Sequence, residues 1–479
     1  MTNFFLILYF LIVAAVCIRI IMQSNTPSKG LAYLLLIVSF PVIGIFFYLS
    51  VGLNYRKRKL YQKKIEVDEK AFPELEQRVN EYSKNILTKL QKDLGYYYPL
   101  ANAVYTRHLI SDNNHVRLLI NGENKFAEVL ESLKQAQHHI HIEYYIYEDD
   151  DIGRQVADIL MRKAAEGVVV RFIYDDFGSR GIRKKLVREL RQAGVETHPF
   201  YKINLIQLAN RINYRNHRKI IVIDGEVGYV GGINVSDKYI NRADSKLFWR
   251  DTHLKIQGAS VLNLQFVFLT DWNFCAKQSI AFSADYFPGS SIEKVFGNQM
   301  VQIIPSGPDS DYPNTMYSLM QAVMLAKKEL RITTPYFIPD KSFLDAVKIA
   351  ALSGVRVMLL VPGVSDSFIV NTTSQSYYEE LLQAGVEIYR YQKGFVHAKT
   401  LVCDKCIAIV GTANLDTRSF DLNFEINAEV YDSELSAQLA NQFEKDLQDA
   451  QQLFLKDWQK RPRYKKVFEK VLQLLSPVM

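Results

Sequence analysis

A chain of 479 residues with 48% hydrophobic and 23% charged side chains has the composition of a folded protein, with length for two or three domains. Four cysteines exclude a disulfide framework in so long a chain and fit a reducing compartment. A net charge of +7 suits anionic partners, lipid headgroups or nucleic acid, without choosing between them.

Residues 4–21 are almost wholly apolar, and residues 31–53 form a second run interrupted only by Ser, Pro and Gly. About 20 apolar residues span a bilayer, so the two runs predict a transmembrane helical hairpin within residues 1–60. Arg19 sits near the end of the first run, where it can snorkel to the interface. A signal peptide competes for the first run but lacks its basic leader, and a buried core hairpin competes for the pair. Arg56, Lys57, Arg58, Lys59, Lys63 and Lys64 follow the second run, whereas only Arg19 and Lys29 lie near the connection. The positive-inside rule then places the amino terminus and everything after Leu53 in the cytoplasm. Residues 61–112 read as a polar helical linker punctuated by Pro73 and Pro99, with Tyr96, Tyr97 and Tyr98 suited equally to a membrane interface or to packing.

Two stretches then repeat one order of elements. In the first, residues 113–290, a strand over 140–146 precedes an amphipathic helix over 152–166, a buried strand over 168–174 and a helix-to-strand turn at 192–196. In the second, residues 291–433, the same order falls on 330–337, 341–353, 355–361 and 383–387. Strands alternating with helices predict an α/β fold, with mostly parallel sheets covered on both faces. Residues 434–479 read as polar helices. Their segment from Trp458 to Phe468 interleaves basic and aromatic residues, as a membrane-surface helix or a packed one would.

Within the halves lies a duplicated constellation. His217, Lys219, Asp224, Gly231 and Asn234 return in register as His397, Lys399, Asp404, Gly411 and Asn414. Each copy reads as a β-hairpin, the first with Gly225-Glu226 as a two-residue turn. Alternation puts His217 and Lys219 on one face and Asp224 on the other, making Asp224 an organiser of the hairpin more than a substrate contact. Gly231 and Gly232 would let backbone N–H groups approach an anion, and Asn234 adds an amide. An imidazole, an ammonium and an amide converging on one point suit a phosphate. Two imidazoles can divide the work on a phosphodiester: one attacks phosphorus, and the other protonates the leaving alcohol and deprotonates the incoming one. Lys219 and Lys399 would offset transition-state charge, and neither a metal nor another cofactor is required. Asp251 and Glu425 each lead into a strand. They are read as carboxylates that fix an imidazole tautomer, against a plain surface ion pair; whether each serves its own half or the opposite one stays open.

This pattern, His-x-Lys-x4-Asp-x6-Gly-x-x-Asn in both copies, resembles the signature of the phospholipase D superfamily. Flanking segments at 213–219, 249–253, 334–340, 414–420 and 423–425 are similar to its bacterial cardiolipin synthase branch, and the resemblance covers nearly the whole chain. Thr412 departs from it, where a small Ser or Gly is expected. The resemblance implies two phospholipase D-like halves related by a pseudo-twofold, with both motifs in one cleft. It implies an enzyme of the bacterial cell membrane joining two phosphatidylglycerol molecules into cardiolipin and glycerol through a phosphohistidine. Its catalytic set would be His217, Lys219, Asp224, His397, Lys399 and Asp404. Asn234 and Asn414 would bind substrate, His217 would make the attack and His397 would protonate glycerol. A phospholipase D or phosphatidylserine synthase differs only in the acceptor alcohol. A nucleic-acid phosphodiesterase is disfavoured by the membrane hairpin and by the lack of a dense basic face with stacking aromatics. A non-catalytic membrane scaffold would not need both motifs intact. Cys403 and Cys406 read as core and turn residues without a second pair for zinc, and His138, His139 and His141 as strand packing.

Overall fold

The computed structural model describes residues 2–23, 27–48, 86, 110–202 and 214–474, apart from 277, 279, 282 and 311. The basic run after Leu53, the three adjacent tyrosines and nearly all of the expected linker lie outside the described residues.

The first half contributes β1 (Ile110–Ile120), β2 (His139–Tyr144), β3 (Val169–Tyr174), β4 (Glu196–Pro199), β5 (Lys219–Ile223), β6 (Val227–Gly231), β7 (Phe248–Arg250) and β8 (Thr252–Gln257). The second begins with β9 (Gln299–Ser306), β10 (Glu329–Thr333), β11 (Phe337–Ile338), β12 (Arg356–Pro362), β13 (Glu387–Tyr391) and β14 (Gly394–Val396). It continues with β15 (Thr400–Cys403), β16 (Ile407–Gly411), β17 (Leu415–Asp416), β18 (Glu425–Tyr431) and β19 (Ala450–Leu453).

Fifteen of these form one sheet, in the order β19-β13-β12-β10-β15-β16-β18-β9-β1-β8-β6-β5-β2-β3-β4. The order reads outward in the same sequence from either side of the antiparallel β1–β9 seam, so the pseudo-twofold passes through that seam. The sheet is not mostly parallel as expected: only β2-β3-β4 and β10-β12-β13 pair in parallel, and every other neighbour in it is antiparallel. The reason is local. Parallel neighbours need a long crossover, here the helices Asp151–Ala165 and Lys341–Leu352, whereas the motif strands are joined by tight turns that force antiparallel pairing.

The crossover helices start and stop where the sequence marks them. Asp150 and Asp340 cap them by accepting from the N–H groups of Gly153 (3.1 Å) and Phe343 (2.9 Å). Gly194 and Gly385 turn the following helices into strands at φ of +93° and +92°, where a Cβ would be strained. Apolar cores lie under the crossover helices of each half. A third core, on the opposite face, is covered by the helices Ser260–Ala276 and Ser433–Gln448, which follow β8 and β18.

The carboxyl-terminal region is not helical throughout, because β19 pairs antiparallel with β13 at the sheet edge. Beyond it Trp458 is buried, with the Arg461 guanidinium stacked 3.4 Å from its ring, so this part of the basic-aromatic segment packs on the body.

At the amino terminus the first apolar run is the helix Thr2–Gln23. The second run is not one helix: it breaks at Phe40 into Pro27–Ser39 and Pro41–Phe47. Pro41 offers no N–H, and its ring collides with the carbonyl four residues back. Beyond the bend, a Cβ on Gly44 would lie 2.6 Å from the Ile37 Cα, so only glycine admits this approach. The three helices touch through Ile20, Ile37 and Tyr48. Among the described residues no helix is long and apolar enough to cross a membrane.

Candidate active site

Each motif histidine lies just before a hairpin strand, on a segment stitched to the other half of the chain. The His217 N–H donates to the Phe424 carbonyl at 2.9 Å, and the Phe424 N–H to the Arg215 carbonyl at 2.8 Å. On the other side β14 pairs in parallel with β7, and the His397 N–H donates to the Arg250 carbonyl at 2.7 Å. Each histidine therefore stands next to the opposite half's carboxylate, Glu425 at the start of β18 and Asp251 between β7 and β8.

The question left open by the sequence is answered crosswise. His217 Nδ1 lies 2.8 Å from Glu425 Oε2, and His397 Nδ1 lies 2.7 Å from Asp251 Oδ2. Both carboxylates are essentially inaccessible, so neither contact is a surface ion pair. Burial pulls the His217 imidazole down to about 4 against the opposing pull of Glu425. Burial and then the Lys399 charge bring His397 to about 3, against Asp251. Burial raises the Glu425 carboxyl, but the charge and hydrogen bond of His217 and the charge of Lys219 hold it below its ordinary value. The resting pair is a neutral imidazole donating Nδ1–H to a carboxylate, which leaves Nε2 as a free lone pair.

Lys219 Nζ donates to the His217 carbonyl at 2.7 Å and Lys399 Nζ to the His397 carbonyl at 2.6 Å. Burial lowers these ammonium groups to about 7 and about 8. Lys219 feels both Glu425 and Asp251, and His397 feels Lys219. The two motifs thus form one electrostatic unit.

Asp224 and Asp404 lie away from it, on the hairpin turns. The first turn spans three residues, Asp224 to Glu226, rather than two, with Asp224 at φ +54°. Its carboxylate accepts from the N–H groups of Gln137, His138 and His139, each at 2.8 Å. Asp404 does the same for Lys327, Lys328 and Glu329, also at 2.8 Å. Each ties its hairpin to the start of a neighbouring strand and has no contact with either imidazole. Asp224→Ala is expected to cost about 2–4 kcal/mol, since three N–H groups lose a charged acceptor. A lowered unfolding midpoint checks this; a variant as stable as the wild type yet inactive would give Asp224 a chemical role.

The glycines make room for the protein's own groups rather than for a bound anion: a Cβ on Gly231 would sit 2.6 Å from the His253 Cα. The Gly232 N–H is taken by the Thr252 carbonyl at 2.9 Å, and a Cβ on Gly232 would sit 2.1 Å from Asp251 Oδ1. Thr412 occupies the matching position in the second copy. Its hydroxyl donates to Glu425 Oε2 at 2.5 Å, so the departure noted in the sequence helps to hold the carboxylate that orients His217. Asn234 is engaged as well, its carbonyl accepting from the Ile146 N–H at 3.2 Å and its amide donating to the Tyr239 hydroxyl at 2.6 Å. Asn414 is buried, and its side-chain carbonyl has no hydrogen-bond partner among the described residues.

Sequence reasoning missed the groups that brace the unit. Arg250 binds both oxygens of Asp446 at 2.9 Å, and Arg218 pairs with Asp271. Tyr145 packs on His217 with centroids 4.9 Å apart, while Trp249, Phe395 and Tyr239 surround His397. The basic flanks of the first motif were a signal for the arginines; nothing local pointed to Tyr145. His139 and His141 are buried on one face of β2, with His141 beside the Gln265 amide, apart from the paired motif histidines and lysines. Cys403 is buried and directs its thiol at the Ala322 carbonyl.

A family model described as cardiolipin synthase, PLD-like domain, matches residues 129–258 and 319–447. The chain is 42% identical to a cardiolipin synthase of Alkalihalophilus pseudofirmus, over 99% of this chain and 93% of that one. It is 40% identical to cardiolipin synthase 2 of Bacillus anthracis, over 96% and 88%. Among solved structures, the phosphatidylserine synthase of Haemophilus influenzae shares the fold, with a TM-score of 0.59 at 14% identity, covering 76% of this chain and 95% of that one.

Proposed function

The chain belongs to the cardiolipin synthase family of phospholipase D-like phosphatidyltransferases, and we propose that it joins two phosphatidylglycerol molecules into cardiolipin, releasing glycerol. The observation that carries this reading is the crossed pair of imidazole–carboxylate contacts, which joins the two motif histidines and their lysines in one electrostatic unit.

In the first step the negative charge of the arriving phosphodiester favours taking up one solvent proton at the Nε2 of one imidazole; the other Nε2 attacks phosphorus, the phosphorus–oxygen bond to glycerol breaks, and the imidazolium gives its proton to the leaving oxygen. In the second step that imidazole takes a proton from the terminal hydroxyl of another phosphatidylglycerol. The hydroxyl oxygen attacks phosphorus and the phosphorus–nitrogen bond breaks, returning its electron pair to the ring. Lys219 and Lys399 face charge that grows on the phosphoryl oxygens, and an arriving phosphate would in turn hold both protonated. Glu425 and Asp251 stabilise whichever imidazolium forms.

The substrates are membrane lipids, and the amino-terminal helices support placement at a bilayer. Phe4, Ile7, Phe10, Leu11, Val38 and Phe46 are among the apolar side chains they leave exposed. With the basic residues after Leu53, this favours a cell-membrane enzyme with its catalytic body on the cytoplasmic side. Purified protein supplied with labelled phosphatidylglycerol tests the proposal. Cardiolipin and glycerol in equal amounts are expected; phosphatidic acid as the sole lipid product would make the protein a hydrolase.

A further inference from the structure

The duplication is broken two residues before each histidine, where Arg215 in the first half faces Phe395 in the second. Phe395 is buried among Trp249, Tyr336 and His397. Arg215 is only 2% exposed, yet both terminal nitrogens of its guanidinium lack a hydrogen-bond partner among the described residues. Burying a guanidinium with its hydrogen-bonding groups unmet is costly, so such a group calls for an anionic acceptor.

The surroundings name its sign and place. Arg215 and Arg180 both lie against the Phe177 ring, at 4.7 and 3.8 Å from its centroid, and Arg418 is near enough to repel Arg215 as well. Neither Arg180 nor Arg418 has an ion-pair partner among the described residues. The nearby carboxylate, Asp175, attracts Arg215 but is committed to the N–H groups of Phe177, Gly178 and Asn216, at 2.9, 2.8 and 3.2 Å. Tyr145 connects this cluster to the catalytic unit. Its ring packs on His217, its phenol feels Arg418 and Arg215, and Lys219 Nζ is 5.6 Å from its centroid.

We propose that Arg215, with Arg418 and Arg180 beside it, binds the non-reacting phosphate of the acceptor lipid. This rests on the reading of the protein as a cardiolipin synthase. The reacting phosphate already has Lys219 and Lys399. The acceptor brings a second phosphodiester, three carbons from the hydroxyl that attacks, and a guanidinium fork matches its two free oxygens. Water has no such group, so the cluster favours transfer over hydrolysis by holding the one nucleophile that carries a phosphate. A consequence follows for the histidines. In-line displacement puts both the leaving and the entering alcohol on the acid–base side, and the cluster flanks His217. That gives His217 the proton transfers and His397 the phosphoryl group, the reverse of the sequence expectation.

The test gives the full-length enzyme labelled phosphatidylglycerol in mixed micelles containing ethanol, and reads the ratio of cardiolipin to phosphatidylethanol. Ethanol accepts the same phosphatidyl group but carries no phosphate. Arg215→Met is expected to lower the ratio on the order of 10- to 100-fold, the weight of one or two charged hydrogen bonds. Arg418→Met, on a half-buried side chain, is expected to lower it in the same direction by less. Equal loss of both products in Arg418→Met, or an unchanged ratio in both variants, overturns the proposal. If Arg215→Met fails to fold, Arg418→Met decides. A wild-type enzyme that makes phosphatidylethanol but no cardiolipin contradicts the assigned reaction instead.

Discussion

Replacing either His217 or His397 with alanine is expected to reduce cardiolipin formation by on the order of 10⁴-fold, with the double variant little worse than either single one. One imidazole forms the covalent bond and the other moves the protons, so neither step proceeds without its partner, and losses of groups acting as a unit do not add. The side chains are nearly buried, but Glu425 keeps its Thr412 hydroxyl and the nearby Lys219 charge when His217 is truncated, so the fold should survive. Product from labelled phosphatidylglycerol, measured on variants with wild-type unfolding midpoints, checks this. Full activity in either variant would remove the two-imidazole mechanism.

Glu425→Gln and Asp251→Asn are each expected to lower turnover by roughly 10²- to 10⁴-fold, because the uncharged amide neither fixes the productive tautomer nor stabilises the imidazolium. The crossed arrangement gives these losses a direction. Glu425 raises the proton affinity of His217 across the chain halves, so its removal should push His217 further down and leave the His397 tautomer unchanged. Asp251→Asn should do the converse, acting on His397. Nitrogen chemical shifts of the two rings, followed against pH in each variant, separate the cases. A shift in the ring of the same half would contradict the crossed pairing.

The duplicated spacing made the convergence of His217, Lys219, His397 and Lys399 legible, because positions repeated 180 residues apart constrain one another. Alternation along the strand also put Asp224 at the turn, away from the imidazoles. Three features were out of reach for physical reasons. The pairing of Glu425 with His217 follows from the stitch between Phe424 and the segment before β5, which no local pattern encodes. The predominance of antiparallel neighbours comes from the tight hairpin turns together with β1 and β9, which pair antiparallel with β8, β18 and each other and which no motif marked. The buried guanidinium of Arg215 looked like one more basic residue near a motif, since burial is not written in residue type. The second apolar run is a different case: hydropathy registered its length, while Phe40-Pro41 and Gly44 decided the shape of its described part.

The most direct test quenches the enzyme at alkaline pH during turnover of phosphatidylglycerol labelled at phosphorus, and maps the label to a residue. The two-imidazole mechanism predicts an acid-labile phosphorus–nitrogen bond on one motif histidine, His397 if the arginine cluster holds the acceptor. Label on any other residue, or cardiolipin formed at full rate with no protein-bound phosphorus, would contradict it.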